Sequence, residues 1–163
     1  MVGTAFEHST LYQYNFHGAK DIFAGMQQCE TPYWQGGTVL APDPWSPALV
    51  TPYGDPDYSN CGGGDVQCRM AWFEYITSSS NLFLYAGGFW TFFNGGNPSP
   101  CSGNPGNCQS NAVDIKGSNG IYMYGLNTKS NLNMVTGDNG LLVTMNNNPG
   151  GWGGVVAAML AET

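Results

Sequence analysis

Residues 72–85 have the sequence Trp72-Phe73-Glu74-Tyr75-Ile76-Thr77-Ser78-Ser79-Ser80-Asn81-Leu82-Phe83-Leu84-Tyr85, and this stretch decides the fold. Two runs rich in aromatic and aliphatic residues flank a polar corner of serines and one asparagine. The residues around the corner alternate with a period of two, which is typical of half-buried strands. Serine and asparagine suit the tight, often left-handed backbone of a corner. The stretch therefore predicts a unit of strand, corner and strand.

The same layout occurs at residues 12–25 and 112–125, which indicates an internal repeat. In each copy, six positions separate the apolar residue before the corner from the first one after it; these pairs are Phe16 and Ile22, Ile76 and Leu82, and Ile115 and Ile121. Successive copies lie 60 and 39 residues apart, because Pro- and Gly-rich loops at 36–71 and 94–110 intervene. We predict an all-β solenoid formed by a single domain over 1–163, with a closing coil and cap at 140–163. A β-sandwich with irregular loops is the alternative.

The charge and aromatic content favour a neutral ligand. Four Lys and Arg residues against eleven Asp and Glu residues give a formal charge of −7, which would repel a phosphate backbone or an anionic bilayer. No apolar run approaches the roughly 18 residues of a membrane span. Aromatic residues make up 13% of the chain, and aromatics with amides and short acids suit sugar rings. The sequence thus predicts a carbohydrate partner and neither nucleic acid nor membrane.

The cysteines predict an extracellular protein. Cys61 with Cys68, and Cys101 with Cys108, each span a short Gly- or Pro-rich loop, so local disulfides are the first choice, with a crossed pairing left open. Cys29 is expected to be a small buried apolar side chain. Disulfides persist outside the cytosol, yet Met1–His8 lacks the features of a signal peptide. We therefore expect a secreted fragment or processed product of a longer protein.

Glu30 is the candidate proton donor, because amides, aromatics and an apolar strand surround it in the sequence. Such surroundings should raise its pKa and keep it protonated near neutral pH, as a glycosidase acid requires. Glu7 lies 23 residues earlier, close to one solenoid turn, so the two acids could stack on neighbouring coils. With a lateral offset, their carboxyl groups could lie about 6.5 to 9.5 Å apart, the gap of inverting glycosidases. In the alternative interpretation, Glu30 only accepts hydrogen bonds from a turn.

Aromatic residues that follow Glu30 are candidates for substrate binding. The predicted set is Tyr33, Trp34, Gln35, Trp45 and Tyr53. A second set is expected to fill the core or to stack between coils rather than bind ligand: Trp72, Phe83, Phe89, Trp90, Phe92 and Phe93. Neither histidine belongs to a cluster with metal-ligand spacing, so no metal and no cofactor are predicted.

The chain resembles the fungal exo-β-1,3-glucanases of glycoside hydrolase family 55 along most of its length. The resemblance rests on short motifs distributed along the chain: Glu7-His8, Leu11–Phe16, Glu30-Thr31-Pro32-Tyr33-Trp34-Gln35, Tyr53-Gly54-Asp55-Pro56, Cys68–Trp72, Ser80-Asn81-Leu82, Gly88–Phe93 and Asn148–Trp152. It implies a right-handed parallel β-helix of the pectate-lyase-like kind, with long disulfide-held loops. It also implies that the chain corresponds to the C-terminal segment of a longer enzyme with two such helices.

The same resemblance implies roles for the two acids. Glu30 would be the general acid and Glu7 would help to hold the attacking water, in a reaction that releases glucose from the non-reducing end of β-1,3-glucan with inversion. Because the water would also be held by the missing N-terminal β-helix, we expect weak or absent turnover by this chain alone. An exposed N-terminal coil also predicts self-association. The competing hypotheses are a non-catalytic β-glucan-binding solenoid and a purely structural relic.

Overall fold

The structure, a computed structural model, describes residues 1–37, 53–95, 101–103, 107–151 and 153–163. Within these ranges the named secondary-structure elements are all strands: β1 (Val2–Ala5), β2 (Tyr12–His17), β3 (Lys20–Glu30), β4 (Trp72–Thr77), β5 (Ser80–Trp90), β6 (Gln109–Lys116), β7 (Asn119–Lys129), β8 (Asn131–Gly137), β9 (Gly140–Thr144) and β10 (Gly154–Ala161). This confirms the all-β prediction. No helix in the described part of the chain is long and apolar enough to cross a membrane.

The strands form two five-stranded sheets, and the chain passes from one to the other at each corner. The first sheet has the order β1-β3-β5-β7-β10 and the second the order β2-β4-β6-β8-β9. Up to β8, neighbours within each sheet are parallel. Ile22 pairs with Leu82 and Leu82 with Ile121, so the predicted repeat is confirmed residue by residue.

The corners between the sheets are stacked copies of one turn. Gly18, Ser78 and Gly117 occupy equivalent positions and all have a positive φ, of 61°, 50° and 53°. Ser79 Oγ accepts a hydrogen bond from the Ala19 amide and donates one to the Phe16 carbonyl. Backbone hydrogen bonds from the Gly18 amide to Thr77 and from the Ser80 amide to Ala19 join the same coils, and the side-chain bonds add to them in holding the coils in register.

A second bend lies in the middle of the long strands of the first sheet, and the sequence did not predict it. Met26, Ala86 and Gly125 occupy equivalent positions with φ of 59°, 59° and 67°. A single left-handed residue in a strand acts like a bulge and shifts the alternation of faces. Ala24 points inward before the bend and Cys29 after it, so Glu30 lies on the outer face.

The core lies between the two sheets, and a smaller cluster lies outside the second one. The small cluster packs Tyr58 against Trp72, together with Leu11 and Tyr75. The prediction of core positions is confirmed for Trp72 and Phe89, which are 1% and 0% exposed. The other four aromatics are only partly buried, on the outer face or in the loop beyond the strand: Phe83, Trp90, Phe92 and Phe93. Of these, Phe83 stacks on Tyr122 of the next coil, with 4.8 Å between ring centroids, which agrees with the predicted stacking between coils.

Both predicted local disulfides are present, as Cys61–Cys68 and Cys101–Cys108, and Cys29 is a buried free thiol. The last two strands reverse direction: β9 is antiparallel to β8, and β10 is antiparallel to β7. This reversal ends the parallel stacking of the described strands in both sheets. A closing coil and cap at 140–163 stays a prediction.

Glu74 is an acid buried inside the core, a position that no sequence pattern indicated. It pairs with Tyr14 and Val113 in the second sheet and is 1% exposed. Burial raises the pKa of Glu74 to about 8, and the nearby Gln27 side chain only partly opposes this. The folded protein therefore keeps a proton on Glu74 that the unfolded chain releases at a much lower pH.

We predict that Glu74→Gln stabilises the fold increasingly as the pH rises from 4.5 toward 8. Because burial raises the pKa of Glu74 in the folded state, the contribution of Glu74 to wild-type stability is largest below the pKa that this residue has in the unfolded chain. That contribution falls by at most ~1.4 kcal/mol per pH unit as the pH rises toward the folded-state pKa. Denaturant unfolding of both proteins at pH 4, 6 and 8 measures the difference. Exposed Glu162→Gln is the control and should unfold like the wild type at each pH. If the difference in stability between Glu74→Gln and the wild type is the same at pH 4 and at pH 8, the raised pKa of Glu74 is contradicted.

Candidate active site

Parallel pairing of β1 with β3 brings Glu7 beside Glu30. The register pairs Val2 with Gly25 and Thr4 with Gln27, a constant offset of 23 residues. Beyond the strand, the His8 amide donates a hydrogen bond of 3.0 Å to the Glu30 carbonyl and so continues the ladder. The spacing of the two acids therefore equals one turn of the chain, as the sequence predicted.

The side chains of Glu7, His8 and Glu30 converge on one small volume. Their nearest oxygen and nitrogen atoms all lie within 4.8 Å of one another, and His8 Nε2 is 3.8 Å from Glu30 Oε2. Gln28 Nε2 donates a hydrogen bond of 2.9 Å to Glu7 Oε1, which fixes the more exposed carboxylate. The predicted lateral offset is absent, because the two acids are direct neighbours in register.

Glu30 is shielded enough to hold its proton at a higher pH than an ordinary glutamate. Its side chain is 18% exposed, and desolvation raises its pKa above 4.5. The Glu7 carboxylate raises this pKa further, whereas His8 lowers it by favouring the charged carboxylate. The raised pKa predicted from the surroundings of Glu30 is confirmed in direction, and its main cause is burial.

His8 belongs to this site, although the sequence suggested no catalytic role for it beyond its place in the Glu7-His8 motif. Its backbone has a φ of 61°, a conformation that is uncommon for a residue with a side chain. Its ring packs against Tyr33 with 4.2 Å between ring centroids, and Tyr33 packs against Phe93 at 4.5 Å. The position next to Glu7 was the signal that could have identified it. The three converging side chains could also reach one cation, and the absence of a metal stays a prediction.

The predicted substrate-binding residues that the structure describes divide into three groups. Tyr33 and Trp34 are 49% and 40% exposed and directly follow the site in the chain. Gln35 is fully buried: its amide donates to Gln109 and accepts from the Ala71 amide, so that side chain joins coils and presents nothing to a substrate. The carbonyl of Tyr53 accepts a hydrogen bond from Asn15 of the second sheet, away from β3. Trp45 lies outside the described residues.

Trp90, which the sequence predicts to fill the core or to stack between coils, is a neighbour of Glu30. The two residues are register partners on β3 and β5. Trp90 lines a groove of about 220 Å³ on the outer face of the first sheet, with Gln28, Gly88 and Asn127 among the other lining residues. The 60-residue offset that relates Ile22 to Leu82 also relates Glu30 to Trp90. The repeat in the sequence therefore indicates that Glu30 and Trp90 are neighbours.

No protein-family model matches the chain, but named fungal proteins are similar to it in sequence. A glucan endo-1,3-beta-glucosidase of Trichoderma harzianum is 37% identical over 92% of the chain, and a probable glucan endo-1,3-beta-glucosidase of Arthroderma benhamiae is 38% identical over 87%. A glucan 1,3-beta-glucosidase of Cochliobolus carbonum is 37% identical over 73% of the chain. The chain spans only 20%, 15% and 14% of the lengths of these relatives.

We predict that His8→Gln raises the pKa of Glu30, because the group that favours its charged form is lost. Carbon-13 NMR titration of the glutamate carboxyl groups measures this directly. His17→Gln is the matched control, since the His17 ring bonds Thr77 on the second sheet and should leave Glu30 unchanged. A Glu30 pKa that stays the same or falls in His8→Gln would contradict the described contact.

Proposed function

The chain is a homologue of fungal glucan 1,3-β-glucosidases over most of its length, and we propose that it supplies the acid–base residues of a β-1,3-glucan hydrolase. One observation carries the proposal. Glu7 and Glu30 lie in register on adjacent strands, and the more buried of the two has the raised pKa that a proton donor needs.

Glu30 acts as the general acid. Protonated Glu30 donates its proton to the glycosidic oxygen as the bond from that oxygen to the anomeric carbon breaks. The leaving sugar departs as a neutral alcohol, and Glu30 becomes a carboxylate. Partial burial raises the pKa of Glu30, so the proton is retained to a higher pH than on an exposed glutamate, and activity should decline as the pH rises through the Glu30 pKa.

Glu7 holds the water that replaces the leaving sugar. The water oxygen bonds to the anomeric carbon, and its proton passes to Glu7, whose carboxylate Gln28 keeps in place. We propose inversion, following the resemblance to family 55. The close approach of Glu7 and Glu30 favours a second candidate, because retaining enzymes place their carboxyl groups only about 5 to 5.5 Å apart. Proton NMR of the first anomer released from laminarin distinguishes the two: α-glucose indicates inversion and β-glucose indicates retention.

The substrate is a neutral glucan chain, which meets no electrostatic penalty at a protein with a formal charge of −7. The exposed Tyr33 and Trp34 supply aromatic surface near Glu30. We propose attack from the non-reducing end, although two of the relatives are named as endo enzymes. Product analysis tests this mode, because an exo enzyme releases only glucose at early times whereas an endo enzyme releases oligosaccharides.

The fold proposed for residues 1–163 is one right-handed parallel β-helix. The alternation between two sheets, the parallel in-register pairing and the stacked corners support it. The two disulfides support secretion. Full activity is proposed to need the N-terminal β-helix, and the edge strands β1 and β2 are where that helix, or a second copy of the chain, would pair.

Hydrolysis of laminarin by Glu30→Gln tests the proposed function, both in the 163-residue chain and in a longer protein that contains it. We expect the substitution to lower kcat by about 10²- to 10⁴-fold while the fold is kept, because only the proton donor is removed. Glu162→Gln is the control and should keep wild-type turnover. Glucose release unchanged by Glu30→Gln would refute the catalytic role. Binding of laminarin without any release, in both proteins, would favour the non-catalytic glucan-binding solenoid.

A further inference from the structure

The second sheet carries a polar pocket of about 370 Å³ on its outer face. Three adjacent strands line it: Asn111 and Asp114 on β6 pair with Asn133 and Thr136 on β8, and Thr136 pairs with Leu141 on β9. The volume is within the usual range of small-molecule sites. The pocket is separate from the candidate active site, which belongs to the first sheet.

Asp114 forms the floor of this pocket. Its neighbours Val113 and Ile115 are fully buried in the core, so alternation along β6 directs Asp114 to the outer side. Asp114 is nevertheless only 3% exposed, which is rare for an aspartate on the outside of a sheet. Its Oδ1 accepts a hydrogen bond of 2.7 Å from Thr136 Oγ1, whereas its buried Oδ2 accepts none from the described residues. A buried acceptor therefore lies at the bottom of the pocket.

The charges around Asp114 favour an uncharged ligand. Lys116 Nζ lies 3.2 Å from Asp114 Oδ2, and it lies 6.0 and 5.8 Å from the ring centres of Trp72 and Tyr75. A metal ion is disfavoured because this ammonium group already balances the carboxylate. An anion is disfavoured because Asp138 adds a second negative charge to the lining. A neutral molecule with hydroxyl groups can use both the donor and the acceptors.

The walls add hydrogen-bonding groups that are held in place without a ligand. Asn133 Nδ2 donates a hydrogen bond of 2.8 Å to Asn111 Oδ1, and Asp138 Oδ2 accepts one of 2.8 Å from the Gly117 amide. The Asn133 amide keeps a second N–H and its oxygen, and the Asp138 carboxylate keeps a second oxygen. Leu141, 51% exposed, supplies an apolar side chain for the C–H face of a ring. Groups fixed in advance lower the ordering cost of binding.

We propose that this pocket binds a glucosyl unit of β-1,3-glucan and forms a second carbohydrate site, on the sheet that does not carry Glu30. Hydroxyl groups of the sugar donate to Asp114 Oδ2 and Asp138 and accept from Asn133. The C–H face of the sugar packs on Leu141. The choice of glucan rests on the proposed function, whereas the preference for a neutral polyol rests on the pocket alone. A second site increases the effective concentration of a polymeric substrate at the protein.

NMR titration of laminaritriose into the 163-residue chain tests the pocket. The side-chain amide signals of Asn111 and Asn133 report binding there, because both residues line the pocket and belong to the second sheet. We expect Asp114→Asn to weaken the binding that these signals report by about tenfold or more, since a hydrogen bond to a charged acceptor is lost.

A surface variant makes the test independent of the buried acid. Leu141→Trp should weaken the same binding by at least tenfold, because the larger ring fills the space that the sugar needs. Leu142→Trp is the matched control: Leu142 is the next residue, is 44% exposed and does not line the pocket, so this variant should bind like the wild type. Circular dichroism establishes that each variant is folded.

Two results would overturn the second site: no shift of the Asn111 and Asn133 signals at millimolar trisaccharide, or wild-type affinity in both Asp114→Asn and Leu141→Trp. Laminarin hydrolysis by Glu30→Gln separates this proposal from the proposed function. Hydrolysis unchanged by that substitution would refute the role of Glu30, while the pocket would stand on its own binding data. Loss of hydrolysis without any binding at the pocket would refute the second site alone.

Discussion

The parallel, in-register pairing of successive coils is the constraint on which the rest of the structure depends. Each coil repeats the backbone path of the previous one, so a residue has its counterpart after 22, 23, 39 or 60 positions, depending on the loops between them. Similar side chains therefore form columns across the coils. Apolar residues stack in the core, residues with a positive φ stack at the corners, and aromatic rings stack on the outer face of the first sheet. The candidate active site is such a column, formed by Glu7, Glu30 and Trp90.

The bend at Met26 and its equivalents decides which side chains belong to that column. Ile22 and Ala24 are on the inward side before the bend, whereas Gln27 and Cys29 are on the inward side after it. Without this shift, Glu30 would point into the core and Cys29 would face solvent. A single left-handed residue in each coil thus converts a continuous strand into one that presents an acid at the surface while its neighbours stay buried.

The sequence predicted what depends on local spacing. The apolar pairs around each corner identified the repeat, the short cysteine spacings identified the disulfides, and the 23-residue interval identified the neighbouring acids. Strict alternation did not predict the bend, because nothing in the residue type of Met26 or Ala86 indicates a positive φ. Gln35 and Tyr53 lie outside the strands, where the repeat gives no information about side-chain direction. Buried Glu74 was missed for a related reason, since a charged residue in an alternating strand is ordinarily assigned to the outer face.

The central claim is that Glu7 and Glu30 share one site in solution, and the effect of one acid on the titration of the other tests it most directly. Carbon-13 NMR titration of the Glu30 carboxyl in the wild type and in Glu7→Gln measures that effect without any need for turnover. Because the Glu7 carboxylate raises the pKa of Glu30, we predict a lower Glu30 pKa in Glu7→Gln. A Glu30 pKa that is the same in both proteins would contradict the in-register placement of the two acids and the hydrolase site derived from it.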